Sequence, residues 1–352
     1  MCRVSLLTLA PEDTLARAAI AVLALSGHSL TPHEPAGGTQ REQQRHVRRA
    51  ARAVVTLLRE GYRVLVIHGG EPQVARELIR NEETSTKLPP IPLDGCIASV
   101  QGQAGYQLEL EVRNELKRLQ VEKPVSTVVT QTLVGLDDPA FQAPLKSVGP
   151  MFSEWRARTL ARVSDVRLVE EAGRGWRRVV PSPRPLQIVN LPTIEALLEA
   201  GHIVIAGGGG GVPVAVDARG QLIGVEAVIE RERTAALLGV DLGAELLVLL
   251  TSVEQLYANY GRVDQRPLER LTASELRTLQ REGHFPAATV GPKVDAILEF
   301  MDDGGSHALV TSSEQFAAAL ADRAGTRVMR KADEGPVVRQ IPLFDLDGGG
   351  LN

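Results

Sequence analysis

An α/β fold on an open, mainly parallel sheet is predicted by three features of this 352-residue sequence. Short unbroken apolar runs alternate with stretches of helical spacing, several of the runs end in glycine-bearing turns, and the alternation resumes after an irregular middle. Ile20 to Leu25 (IAVLAL) is apolar throughout and stops at Ser26-Gly27, as a strand buried on both faces would. A polar loop follows through about Thr39. Apolar residues then fall at Val47, Ala50, Ala51, Val54, Leu57 and Leu58, one face of a helix, and Gly61 supplies a stop. Arg63 to Ile67 is the next strand, completing a strand–helix–strand unit of the kind that builds parallel sheets.

The second half repeats the pattern. His202 to Ala206 runs into five consecutive glycines, Gly207 to Gly211. A helical stretch holding Ala235, Ala236, Leu237 and Leu238 precedes a strand at Leu246 to Leu250. Asp295 to Met301 reads as helix and His307 to Val310 as strand, after which Ser312-Ser313-Glu314-Gln315 has the spacing of a capping box opening another helix. Between about Val125 and Val189 the alternation breaks down in Pro- and Arg-rich sequence that holds both tryptophans, Trp155 and Trp176. An inserted lid subdomain is expected there. The expected divisions are an extension (1–17), core (18–124), lid (125–189), core (190–330) and a tail (331–352). The tail, with its apolar patch Ile341 to Leu346, is either disordered or docks on a neighbour.

Composition narrows the function. A net charge of −4 gives no case for nucleic acid or an anionic membrane as partner. Two cysteines, Cys2 and Cys96, make neither a disulfide framework nor a zinc site, and a reducing, cytoplasmic setting is the simplest reading. The apolar tone of Met1 to Leu25 is interrupted by Glu12 and Asp13, against a signal peptide. No membrane-length apolar run occurs. The seven histidines are scattered, so no metal ligand set is assigned.

Turns at strand ends are where ligands sit in such sheets. Ser26-Gly27-His28, His68-Gly69-Gly70-Glu71-Pro72-Gln73 and Gly207–Gly211 all occupy such positions. The glycine run lets a phosphate approach several N–H groups, although it is equally a flexible loop, and it matches neither GxGxxG (Val212 stands where Gly is needed) nor GxxxxGK[ST]. Lys146 and Lys293 stand out in a chain whose basic residues are mostly Arg. Arg174, Arg177, Arg178 and Arg184 surround Trp176, either packing against it or capturing anions from a closing lid. A glycine-lined crevice with isolated lysines and no nucleophile signature suits phosphoryl transfer, in which positioning and electrostatics do most of the catalysis.

The sequence resembles the carbamate kinases, a branch of the amino acid kinase family, from about Ala18 to Val328. Pro92-Leu93-Asp94 with Cys96, Gln101-Gly102-Gln103, Thr130-Gln131-Thr132-Leu133-Val134, Asp138-Pro139-Ala140-Phe141-Gln142, Lys146 with Gly149-Pro150 and Trp176-Arg177-Arg178-Val179-Val180-Pro181-Ser182-Pro183 carry it. Further on, Val212-Pro213 after the glycine run, Gly224-Val225-Glu226-Ala227-Val228-Ile229, Asn259-Tyr260-Gly261, Gly283-His284-Phe285 and Gly291-Pro292-Lys293 continue it. The resemblance implies a three-layer α/β/α fold with a protruding lid, a homodimer, and ATP or ADP with Mg2+ as cofactors. It implies reversible phosphate exchange between ATP and carbamate. Nucleotide would meet Gly208, Gly209, Gly210, Thr251, Val253, Tyr257, Asn259 and Lys293. Catalytic roles would fall to Lys146, Arg231, Glu232 and Lys293, and substrate contacts to Gly27, His28, Gly69, Gly70 and Glu71.

Departures cluster on the acceptor side. Ser26-Gly27-His28 stands where the family has Gly-Gly-Asn, and Gly70-Glu71 where it has Asn-Gly. Glu230-Arg231-Glu232 replaces Asp-Lys-Asp. An unpaired Glu71 would repel an anionic substrate, with a protonated His28 as one offset. A catalytically impaired nucleotide-binding paralogue with a regulatory or scaffolding role, and a kinase for another small acceptor, are the alternatives.

Overall fold

The apolar runs lie side by side. In the computed structural model, which describes residues 18–32, 38–163, 166–286 and 289–330, eight strands form the central sheet. In chain order they are β1 (Ile20–Leu25), β2 (Arg63–His68), β3 (Val125–Thr127), β4 (Ile203–Ile205), β5 (Leu246–Thr251), β6 (Arg270–Thr272), β7 (His307–Ser312) and β8 (Thr326–Met329). Their spatial order is β6-β8-β7-β5-β1-β2-β4-β3, and every pairing is parallel except β7 with β8. The 1–17 extension and the 331–352 tail lie outside the described residues.

Period-two alternation within β1 explains the layers. Ile20, Val22 and Ala24 enter one core, and Ala21, Leu23 and Leu25 enter the other. Helices α1 (Gln40–Arg59) and α3 (Leu93–Arg118) cover the second face; α4 (Leu191–Glu199), α5 (Arg231–Asp241) and α6 (Gly291–Asp302) cover the first. Between α1 and α3 in the chain, α2 (Glu71–Thr84) follows β2 closely and begins within the segment that the sequence predicts as a turn. The result is three layers, helix on sheet on helix.

Local chemistry sets the boundaries. Helix α1 starts before its apolar stripe because Thr39 and Glu42 form a capping box: Glu42 Oε2 accepts from Thr39 N at 2.7 Å, and Thr39 Oγ1 accepts from Glu42 N at 3.4 Å. It stops at Gly61, whose φ of 89° lets Gly61 N donate to Leu58 O and Tyr62 N to Leu57 O. The box expected at Ser312 does not form. Ser312 is held in β7 by pairing with Thr251, its Oγ accepts from Gln315 N at 3.3 Å, and the short helix begins only at Phe316.

Within segment 125–189 the chain does two things. Val125–Thr127 is the edge strand β3, and Gln131–Leu133 joins a small second sheet with Val212–Val216 and Gln187–Ile188. Lys146–Phe152, Gly175–Val180 and Leu168–Glu171 form a separate three-stranded antiparallel sheet, carrying the helix Glu154–Val163. That sheet lies along the Glu71–Thr84 helix: Val148 and Val180 share a buried cluster with Val74, and Arg156 pairs with Glu82. Among the described residues no helix is long and apolar enough to cross a membrane.

Candidate active site

Strands β1, β2, β4 and β5 end on one edge of the sheet, where Ser26-Gly27, Gly69, Gly207 and Thr251 lie in their last residues or the turns that follow. From β1 the chain builds outward through β2 on one side and β5 on the other, so this edge is a topological switch point. Gly27–Ser29 forms one turn of 3-10 helix, in which Ser26 Oγ accepts from Ser29 N at 3.2 Å. Ser26 therefore acts as a cap where the resemblance has glycine. His28 lies half-buried on this turn, and His46 Nδ1 meets its carbonyl at 3.1 Å.

The glycines are fixed by close approach. A Cβ on Gly69 would collide with Gly27 N, and would come within 2.7 Å of Gly27 Cα and 2.5 Å of Arg231 Nη1. A Cβ on Gly208 would meet the buried His68 ring, 2.5 Å from Cε1. His68 donates from Nδ1 to Gly69 O at 2.9 Å; burial first, with Arg231 adding to it, holds the imidazole below its ordinary pKa, hence neutral. It is a spacer between the two turns.

Gly207, Gly209, Gly210 and Gly211 all have positive φ, which L-side chains rarely adopt. Three threonines hold this turn from behind. Gly207 N donates to Thr130 Oγ1 at 2.8 Å, while Thr132 Oγ1 and Thr234 Oγ1 donate to Gly210 O at 3.0 and 2.8 Å. The Gln101 amide in turn bonds Thr130 N at 2.8 Å and Thr130 O at 3.1 Å.

The charged groups form two ion-pair groups that meet where Glu230 precedes Arg231. Lys146 Nζ, on the inserted sheet, lies 2.9 Å from Glu71 Oε1 and 2.9 Å from Glu230 Oε1. Next to Glu230, Arg231 opens α5 and bonds Glu232, whose Oε1 also lies 3.6 Å from Lys293 Nζ in the first turn of α6. Glu232 is 5% exposed; burial alone would raise its pKa, but Arg231 and Lys293 outweigh that and hold it at about 2. Glu71 differs from Glu232 in that its side chain is more than half exposed: what desolvation there is opposes its ionisation, but Lys146, then Arg231, bring its carboxyl below the ordinary value. Burial would lower Lys146, and Glu71 and Glu230 more than reverse it.

Thus Lys146, Arg231, Glu232, Lys293, Gly27, Gly69 and Glu71 come together, with Gly70 against Val100 and 3.7 Å from Gly209 by its would-be Cβ. Glu71, which would repel an anion if unpaired, has Lys146 as its partner. Glu230, Thr130 and Gln101 also belong to this site; in the sequence their only signal is membership of the Glu-Arg-Glu, Thr-Gln-Thr and Gln-Gly-Gln segments. At the end of β5, Thr251 Oγ1 accepts from Val253 N at 3.0 Å and donates to Val253 O at 2.8 Å. Beyond them Tyr257 lies 6.2 Å from Tyr260 between ring centres. Asn259, at φ 54°, spends its amide on Asp264 at 2.6 Å and His284 at 2.5 Å.

The sequence profile of the amino acid kinase family matches residues 19–312. The chain is 42% identical to the carbamate kinase of Thermococcus kodakarensis over 313 residues, covering 88% of this chain and 99% of that one. It is 37% identical to a carbamate kinase-like protein of Escherichia coli over 314 residues, again 88% of this chain and 99% of the other. The structure of Giardia lamblia carbamate kinase bound to AMP-PNP superposes with a TM-score of 0.84 at 35% identity, covering 90% of this chain and 99% of that chain.

Proposed function

The chain belongs to the amino acid kinase family, and on that footing we propose that it is a phosphotransferase of carbamate kinase type, exchanging phosphate reversibly between ATP and carbamate. The observation that carries the reading is the meeting, at glycine turns on a switch-point edge, of two neighbouring ion-pair groups: Lys146 held by Glu71 and Glu230, and Arg231 with Lys293 sharing Glu232. Such a site suits a reaction with little covalent work for the protein. A carbamate oxygen forms its bond to the γ-phosphorus as the bond to the β,γ-bridging oxygen breaks, and that electron pair leaves with ADP.

The protein's part is positioning and charge. In this reading the ATP phosphates lie over Gly208–Gly210 and the first turn of α6, where Lys293 and the helix N-terminus both favour anions. Thr251, Val253, Tyr257 and Asn259 form the nucleoside rim. Arg231, at the N-terminus of α5, and Lys146 neutralise charge growing on the transferred oxygens. Glu232 holds Arg231 and Lys293 in register. Gly27, His28, Gly69 and Gly70 leave room on the acceptor side.

Among the described residues no group of three or more His, Cys, Asp or Glu could hold a metal ion. In this reading magnesium would come as the magnesium–nucleotide complex and supply charge neutralisation on the phosphates. The family resemblance supports a cytoplasmic homodimer. Calorimetric titration with magnesium-ADP tests the nucleotide half: binding is expected, weakened by Lys293→Met. Following 31P signals after mixing ADP with carbamoyl phosphate or other acyl phosphates tests the acceptor half. Nucleotide binding without ATP formation from any of them would favour the non-catalytic alternative.

A further inference from the structure

We propose that Glu71 is a built-in competitor for Lys146, a carboxylate that an anionic phosphoryl substrate must displace before it can engage that lysine. The inference rests on the reading of the cleft given above and assigns Glu71 as a positioning residue that acts through Lys146. An ammonium has three donors, and two of those on Lys146 point to carboxylates, each at 2.9 Å. The two carboxylates differ in freedom. The Glu230 side chain is 24% exposed and precedes α5, whereas that of Glu71 is 64% exposed. Glu71 is the partner that can swing out.

The geometry makes the exchange specific. Glu71 opens the Glu71–Thr84 helix directly after the Gly69-Gly70 turn, and the strand carrying Lys146 runs along that helix. The pair thus bridges the inserted sheet to the core at the mouth of the acceptor side. Across the two neighbouring groups, Lys146, Arg231 and Lys293 are matched in number by Glu71, Glu230 and Glu232, so their charges balance. Expelling Glu71 leaves one cation in excess for the incoming anion. The resemblance has glycine at this position, so the competing carboxylate is this chain's own.

Inorganic phosphate is the probe, titrated calorimetrically into the full-length protein saturated with magnesium-ADP. Glu71→Gln is expected to bind phosphate about tenfold more tightly than the wild type, the size of effect that removing one close charge competitor produces. In a Lys146→Met background the same substitution should change affinity by less than about twofold, because a competitor acts only through the group it competes for. Glu71→Gly provides a second variant with the carboxylate removed altogether. In turnover, KM for carbamoyl phosphate should fall while KM for ADP stays put. No gain in phosphate affinity with either variant overturns the proposal. So does an equal gain in both backgrounds, which would make Glu71 a plain repulsive charge. A phosphate gain confined to the Lys146 background, with no ATP formed from carbamoyl phosphate by any protein, upholds the competitor and sinks the carbamate reading instead.

Discussion

Arg231 Nη1 lies 2.5 Å from where a Cβ on Gly69 would stand, so the guanidinium at the start of α5 is seated on the turn that ends β2. The same Cβ would press on the Gly27 backbone, which cannot rotate away as a side chain could.

Gly69→Ala should therefore displace both Arg231 and the Gly27 turn. Overpacking against backbone is expected to cost about 1–3 kcal/mol of unfolding free energy. Phosphoryl transfer should fall by a larger factor than stability alone explains, because an ångström of misplacement costs about a hundredfold in rate. Urea unfolding and steady-state kinetics measure the two effects separately. Unchanged turnover in a folded variant contradicts the placement of Arg231.

Thr130 is the hidden support of the glycine turn. It is fully buried, accepts from Gly207 N, and is itself held by Gln101. Thr130→Val keeps the shape but strands a buried N–H, at about 1–3 kcal/mol. Magnesium-ADP affinity should weaken by roughly tenfold as the turn loosens. Calorimetry reads that directly, and wild-type affinity would show that the turn holds itself.

Glu232 sets an acid limit on the fold. Its carboxyl is at about 2 when folded against 4.5 ordinarily, so its contribution to stability is fully present above pH 4.5 and disappears as pH falls toward 2. Glu232→Gln leaves Arg231 and Lys293 without their shared counter-charge, and breaking such a buried pairing costs about 3–5 kcal/mol. Denaturant midpoints of wild type and variant should differ at pH 7 and converge near pH 2–3. A constant gap across that range would contradict the charge balance described for the cleft.

How much of this was legible in the sequence follows from burial. Ile20–Leu25 and Leu246–Thr251 announce themselves because both faces of each strand are covered, leaving an unbroken apolar run. Helix α3 has no clear signal in the sequence. It carries Gly95, Gly102 and Gly105, and buries Glu111 and Glu115 against Arg48 and Arg52, so its apolar stripe is diluted by paired charge. Strand β3 is three residues at a sheet edge, too short to show a period, and in the sequence it merges with the irregular segment that follows. The acceptor-side departures were visible as letters. That Glu71 has a partner was not, because Lys146 is brought to it by the fold of a separate sheet.

The central claim is that Lys146 and its neighbours serve phosphoryl transfer between ADP and carbamoyl phosphate. The direct measurement is the initial rate of ATP formation from magnesium-ADP and carbamoyl phosphate, wild type beside Lys146→Met. The account predicts ATP formation proportional to wild-type enzyme and a fall of about a hundredfold or more in the variant, as for loss of a group that stabilises transition-state charge. Wild-type protein that binds ADP yet forms no ATP, or a Lys146→Met variant as fast as wild type, would contradict it.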